Sequence, residues 1–174
     1  YEFILENMIN DWRFHFQQGD FPFIQVQLAN FLPEPEPVYN PQSPWALIRE
    51  SQALACQEPN TYMIPAIDIG CTNDIHPQDK KNVGKRLADT ALHHIYHVPG
   101  VIPSGPVCEK AEHEPGKVRI SFRYGEGLQI TGDVSESFYI AERNGIFYPA
   151  DWYQIEGTSL LLGSSRLKAP CNVR

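Results

Sequence analysis

Apolar residues recur along this chain every three or four positions as far as about residue 96, and every second position from residue 118 onward. The first period suits a helix with one buried face and the second a strand with one buried face. A single switch between them restricts the chain to an α/β part followed by a β-rich part. Pro99-Gly100 and Pro103-Ser104-Gly105-Pro106 punctuate the chain where the period changes. This predicts two domains, residues 1–103 and residues 104–174.

In the first part, Phe3, Leu5, Met8, Ile9, Trp12 and Phe16 fall mostly at three- and four-residue steps and predict one apolar helix face over 3–16. Phe23-Ile24-Gln25-Val26-Gln27-Leu28 reads as a short buried strand between Pro22 and a loop holding Pro33, Pro35 and Pro37. Ser43-Pro44 supplies an N-cap and a first-turn proline for a helix over 44–57. The run 62–67 is a second strand; Pro65 inside it would remove a ladder donor, which places that strand at a sheet edge. A third helix over 78–96 follows from Val83, Leu87, Ala91 and Ile95, beside Gly84, Ala88 and Leu92. Alternating strands and helices imply a parallel sheet with crossover helices, so strands 23–29 and 62–67 should lie parallel and adjacent.

In the second part, Val118, Ile120, Phe122 and Tyr124 alternate with Lys117, Arg119, Ser121 and Arg123, as in an antiparallel strand with one wet face. Strands at 138–141 and 146–148 flank Asn144-Gly145, read as a hairpin turn with positive φ angles. Strands at 153–155 and 159–162 complete a pattern expected of a sandwich or jelly-roll-like module.

Composition narrows the function classes. The net charge of −7 opposes a nucleic-acid surface, which needs clustered cations. Lys80, Lys81, Lys85 and Arg86 fall at helical spacing and read as the solvated side of that helix. No run of about 18 apolar residues exists, so no membrane-spanning segment is expected. Cys56, Cys71, Cys108 and Cys171 lack zinc-ligand spacing and permit disulfides; Cys108 with Cys171 is the first pair to test.

In open parallel sheets ligands bind beyond the carboxyl ends of the strands. Two segments occupy such positions: Gln27, Ala29 and Asn30 after the first strand, and the loop Asp68-Ile69-Gly70-Cys71-Thr72-Asn73-Asp74-Ile75-His76-Pro77 after the second. A loop histidine with a nearby carboxylate is suited to general-base chemistry. The plain alternative is that His76 caps the next helix and Asp74 solvates the turn. A metal reading would join His93, His94 and His97, but no carboxylate follows at ligand spacing, and histidines suit the last turn of a helix electrostatically. A third reading, a non-catalytic carbohydrate-binding module, would use exposed aromatics such as Trp152 and Tyr153.

Several strings, in order, resemble bacterial sialate O-acetylesterase homologues: Met8-Ile9-Asn10-Asp11-Trp12-Arg13, Gly19-Asp20-Phe21-Pro22-Phe23, Val26-Gln27-Leu28-Ala29-Asn30-Phe31, Trp45 with Arg49-Glu50, Asp68-Ile69-Gly70, and Asn73-Asp74-Ile75-His76-Pro77. Gly84-Lys85-Arg86-Leu87-Ala88, Ser104-Gly105-Pro106 and the β-rich tail continue the match. The resemblance implies an SGNH hydrolase, with a flavodoxin-like parallel sheet whose last strand is an edge strand followed by the histidine loop. It implies His76 as catalytic base; Asp74 is the first choice for its orienting acid, before Asp68 and a main-chain carbonyl near Asn73, and Asp68, Asn73, Gln27 and Asn30 are supporting candidates. Such enzymes usually carry an aspartate three residues before the histidine, where this chain has Asn73. Their serine nucleophile lies in a Gly-Gln-Ser-Asn segment and their oxyanion asparagine in a Gln-Gly-Glu segment, both upstream. Neither string occurs here, so the chain is expected to be the C-terminal portion of such an enzyme, with the N-terminal half as its partner. The implied substrate is an O-acetylated sugar, sialic acid first and acetylated hemicellulose second. No metal or cofactor is implied, and the expected location is secreted or periplasmic, lysosomal in a eukaryote.

Overall fold

The structure, a computed structural model, describes residues 1–31 and 43–174. The expected loop prolines Pro33, Pro35 and Pro37 lie outside the described residues. The protein is mixed α/β and forms two compact units, Tyr1–Ser104 and Gly105–Arg174.

In the first unit, α1 spans Glu2–Phe16, β1 Phe23–Val26, α2 Pro44–Leu54, β2 Thr61–Ile64 and α3 Lys80–His94. β1 and β2 are parallel neighbours, from Phe23 opposite Thr61 to Val26 opposite Ile64, as the alternation of elements predicted. A parallel pair needs a long crossover, and α2 lies within it. Leu5 and Ile9 of α1 pack with Ala55, Met8 and Phe23. One turn further, Arg13 continues the same buried row. Its guanidinium donates to the carbonyls of Phe21 at 3.0 Å and Pro59 at 2.6 Å and to Thr61 Oγ1 at 3.2 Å, tying the end of α1 to the starts of both strands. That row displaces three residues expected on the buried face. Phe3 is 75% exposed, Trp12 is 46% exposed beside Phe23, and Phe16, in the last turn, is 61% exposed with its ring edge-on to Phe21.

Pro65 corrects the sequence reading. β2 ends at Ile64, so the proline follows the strand instead of interrupting it and carries no information about the edge. α2 stops at Leu54 and tightens into a single turn over Ala55–Gln57. α3 is shorter than its apolar period suggested because Asp79 caps it, accepting from the Asn82 N–H at 3.0 Å. Among the described residues no helix is long and apolar enough to cross a membrane.

In the second unit, β3 spans Val107–Glu114, β4 Lys117–Arg123, α4 Val134–Ser137, β5 Tyr139–Ala141, β6 Phe147–Pro149, β7 Trp152–Glu156, β8 Ser159–Gly163 and β9 Asn172–Val173. Two antiparallel sheets, ordered β3-β4-β8-β7 and β6-β5-β9, contribute to one core. Val118 and Ile120 of β4 and Leu160 and Leu162 of β8 meet Ile140 of β5, with Val134, Ala150 and Leu167 closing the cluster. The turn at Asn144-Gly145 differs from the expected one, since only Gly145 has positive φ, at 72°. The Gly145 N–H reaches the Glu142 carbonyl at 3.0 Å, and Asn144 Oδ1 accepts from the Ile146 N–H at 3.0 Å, giving a longer connection than a two-residue turn. The Cys108–Cys171 pairing is not formed: all four cysteines are free thiols, and these two belong to or adjoin strands of different sheets.

Candidate functional site

Because β1 and β2 are parallel, the segments leaving their C-terminal ends emerge at the same edge of the sheet. The Gln27 N–H extends the ladder by one bond to the Ile64 carbonyl, 2.9 Å. Beyond it, Asn30 and Gly70 meet. A methyl group built on Gly70 would stand 1.9 Å from Asn30 Oδ1 and 2.7 Å from the Asn30 carbonyl, so only glycine admits this contact. Among the described residues Asn30 Oδ1 is buried there with no hydrogen-bond donor. The two post-strand segments are thus packed together at the expected ligand-binding end.

The loop from Pro65 to Asp79 is held at its start by α3. Arg86 places Nη1 at 2.7 Å and Nη2 at 2.6 Å from the two Asp68 carboxylate oxygens, and Nη1 also reaches the Pro65 carbonyl at 2.8 Å. This planar fork lowers the Asp68 pKa, chiefly by donating to the charged carboxylate. Asp68 is therefore occupied as an anchor and does not bond to the histidine.

Next comes a tight turn from Cys71 to Asp74, with Asn73 exposed at its corner. Asp74 Oδ1 accepts from the His76 main-chain N–H at 2.8 Å, an Asx turn in which the side chain replaces a main-chain acceptor. The same oxygen lies 3.2 Å from His76 Nδ1. Gln78 Nε2 donates to Asp74 Oδ2 at 2.6 Å and to the His76 carbonyl at 3.2 Å. These bonds lower the Asp74 pKa, the His76 N–H being the largest cause. With Nδ1–H donated to the carboxylate, the Nε2 lone pair remains available on a ring whose side chain is 81% exposed.

Of the six site candidates the structure brings Asp74 to His76 and Asn30 to Gly70. Gln27 turns elsewhere, its amide directed at the Arg49 carbonyl of α2 at 3.4 Å, and Asn73 makes no hydrogen bond to the His76 ring among the described residues. Sequence reasoning missed Gln78, which gave no signal beyond its spacing four residues after Asp74. It read Arg86 as part of the solvated side of α3, whereas the guanidinium is half-buried against Asp68 and the Pro65 carbonyl. Of the histidines in the metal reading, His93 Nδ1 bonds to the Val101 carbonyl at 2.7 Å and His94 stacks on Tyr62 at 4.3 Å; among the described residues no three His, Cys, Asp or Glu gather at ligand distance.

No family model matches the chain. Among curated proteins it is similar to sialate O-acetylesterases: 30% identical to that of Homo sapiens over 148 residues, 77% of this chain and 28% of the relative, and 29% identical to that of Pongo abelii over 172 residues, 89% and 33%. It is also similar to the crystal structure of a carbohydrate acetylesterase from Xanthomonas citri, with 38% identity and a TM-score of 0.84 over 97% of this chain and 39% of that one. The chain belongs to the sialate O-acetylesterase family of carbohydrate acetylesterases. As a member of the sialate O-acetylesterase family it spans about a third of the length of the curated relatives it matches.

Proposed function

We propose that this chain supplies the general base of a serine esterase that removes O-acetyl groups from sugars, with His76 as the base and Asp74 as its orienting acid. The observation that carries this reading is the Asp74–His76 pair, which fixes one ring nitrogen and frees the other beyond the carboxyl end of a parallel strand. Residues 1–103 are read as the C-terminal half of an SGNH-type hydrolase domain and residues 104–174 as a jelly-roll-like accessory module. The serine would come from the part of the enzyme corresponding to the relatives' remaining length.

In this scheme the serine oxygen attacks the acetyl carbonyl while Nε2 of His76 takes the hydroxyl proton. The tetrahedral intermediate collapses, the C–O bond to the sugar breaks, and the sugar oxygen receives that proton from His76. A water molecule then attacks the acetyl-serine with the same base, releasing acetate. Asp74 holds the tautomer and stabilises the imidazolium by its charge. Asn30, with a buried acceptor at the same edge, is read as a supporting residue of the pocket wall. Sialic acid is the first substrate class, after the names of the curated relatives. Acetylated hemicellulose is the second, within the carbohydrate class that the similar crystal structure's description names.

The test uses the full-length enzyme and an aryl acetate alongside an acetylated sialic acid. His76→Ala is expected to reduce kcat by about 10³-fold or more without loss of fold, because an exposed loop ring contributes little packing. Asp74→Asn is expected to cost less, since an amide oxygen still accepts the His76 N–H but carries no charge. Near-normal turnover by His76→Ala would refute the assignment.

A further inference from the structure

We propose that the outward face of the four-stranded sheet in the second unit binds a neutral polysaccharide, with Trp152 as its stacking platform. Strand register places Trp152, Gln154 and Glu156 of β7 on one face with Gly163, Leu161 and Ser159 of β8, and with Arg119 and Ser121 of β4; Leu161 and Gly163 are buried, so the accessible part of this face is centred on the exposed β7 row of Trp152, Gln154 and Glu156. Val118, Ile120, Leu160 and Leu162 take the other face and form the core. Tyr153, offset by one residue, falls on the core side, and its exposure follows from the edge position of β7. It does not share a platform with Trp152.

The Trp152 indole lies directly on Gly163, its cross-strand partner: a methyl group there would come within 2.1 Å of two indole carbons and 2.4 Å of the ring nitrogen. The glycine is buried beneath the ring, yet Trp152 remains 39% exposed. A large aromatic surface is therefore presented to solvent with its orientation already fixed, so little entropy is lost when a sugar ring stacks on it.

The surroundings identify the occupant. Cations on this face have carboxylate partners: Lys117 pairs with Glu114, and Arg119 with Glu114 and with Glu156 at 2.9 Å. Gln154 Nε2 donates to Glu156 Oε1 at 2.9 Å, and Ser121 and Ser159 hydroxyls meet at 3.2 Å. The face thus offers planar amide, carboxylate and guanidinium groups and hydroxyls with its charges balanced. That chemistry suits the alternating donors and acceptors of an uncharged sugar chain; an anionic glycan would find no unopposed cation among these groups. The row extends along β7 away from the indole, as needed for a polymer crossing more than one sugar.

Affinity electrophoresis of the full-length enzyme in gels containing soluble xylan, with colominic acid as the anionic comparison, tests the assignment. Retardation is expected in xylan and not in colominic acid. Trp152→Ala should weaken the xylan affinity at least tenfold, about 1.4 kcal/mol. Gly163→Ala should also weaken it by lifting the retained indole off the sheet, and circular dichroism would show that both variants fold. Retardation is read without turnover, so failure here is separable from failure of the esterase reading, which the aryl acetate assay decides. Absence of retardation by xylan, or equal retardation of folded Trp152→Ala, would overturn the proposal, as would stronger retardation by colominic acid.

Discussion

Asp74 accepts on both carboxylate oxygens, and every one of its partners is on its own loop: the His76 N–H and ring at one oxygen and the Gln78 amide at the other. A protonated carboxyl would lose most of this arrangement, so the bonds hold the pKa below its ordinary 3.8. The folded value lies below the unfolded one; the loop's contribution to stability is therefore present above the unfolded value and disappears as pH falls through the folded one. A carboxyl carbon-13 titration should place the Asp74 midpoint below 3.8, with the His76 amide shift moving in step. A midpoint at or above the ordinary value would mean that these bonds do not persist in solution.

The elements are joined by buried amides as much as by apolar contacts. Gln52 of α2 is buried, and its side chain accepts from the Leu28 N–H at 2.8 Å and donates to the Val26 carbonyl at 3.2 Å. Those are the groups on the side of β1 away from β2, and Gln52 satisfies them as an adjacent strand would. Its carbonyl also accepts from Gln25 Nε2 at 2.8 Å. Gln52→Ala removes both part-buried bonds and is expected to destabilise the chain by about 0.5–1.5 kcal/mol in urea unfolding, more than a typical exposed helix substitution. The parallel pairing of β1 and β2 was legible because apolar period and length separate short buried strands from amphipathic helices. The Gln52 clamp was not, since an amide in a helix window carries no periodic signal. β3 was missed for a related reason: Cys108-Glu109-Lys110-Ala111-Glu112-His113-Glu114 has no apolar alternation, and the strand is specified by its pairing with β4. Within the candidate site, the closeness of Asp74 and His76 follows from their two-residue separation and their choice as a pair leaned on the family resemblance, while Gln78, Arg86 and the Asn30–Gly70 contact depend on tertiary placement.

The two units differ in what they bury. The second gathers eight buried apolar residues between two sheets, whereas the principal apolar cluster of the first joins Leu5, Ile9 and Ala55 beside a two-stranded sheet. A pair of four-residue strands is marginal in water without further strands or covering helices. Val26 of β1 is 39% exposed, and α1 presents Phe3, Ile4, Phe14 and Phe16 outward, each more than 60% exposed. Exposed apolar surface of this kind favours association. The 174-residue chain alone is therefore expected to self-associate as its concentration rises, with exposed Phe3 and Phe14 as contributors. Hydrogen exchange should be slowest at the β4 and β8 amides around Val118, Ile120, Leu160 and Leu162, and faster at the β1 and β2 amides, because local opening of the small sheet exposes less apolar surface. Light scattering across a concentration series and exchange mass spectrometry read both outcomes. A strictly monomeric chain with uniform protection across the two units would show that the first unit is stable by itself and that its outward aromatics are tolerated surface.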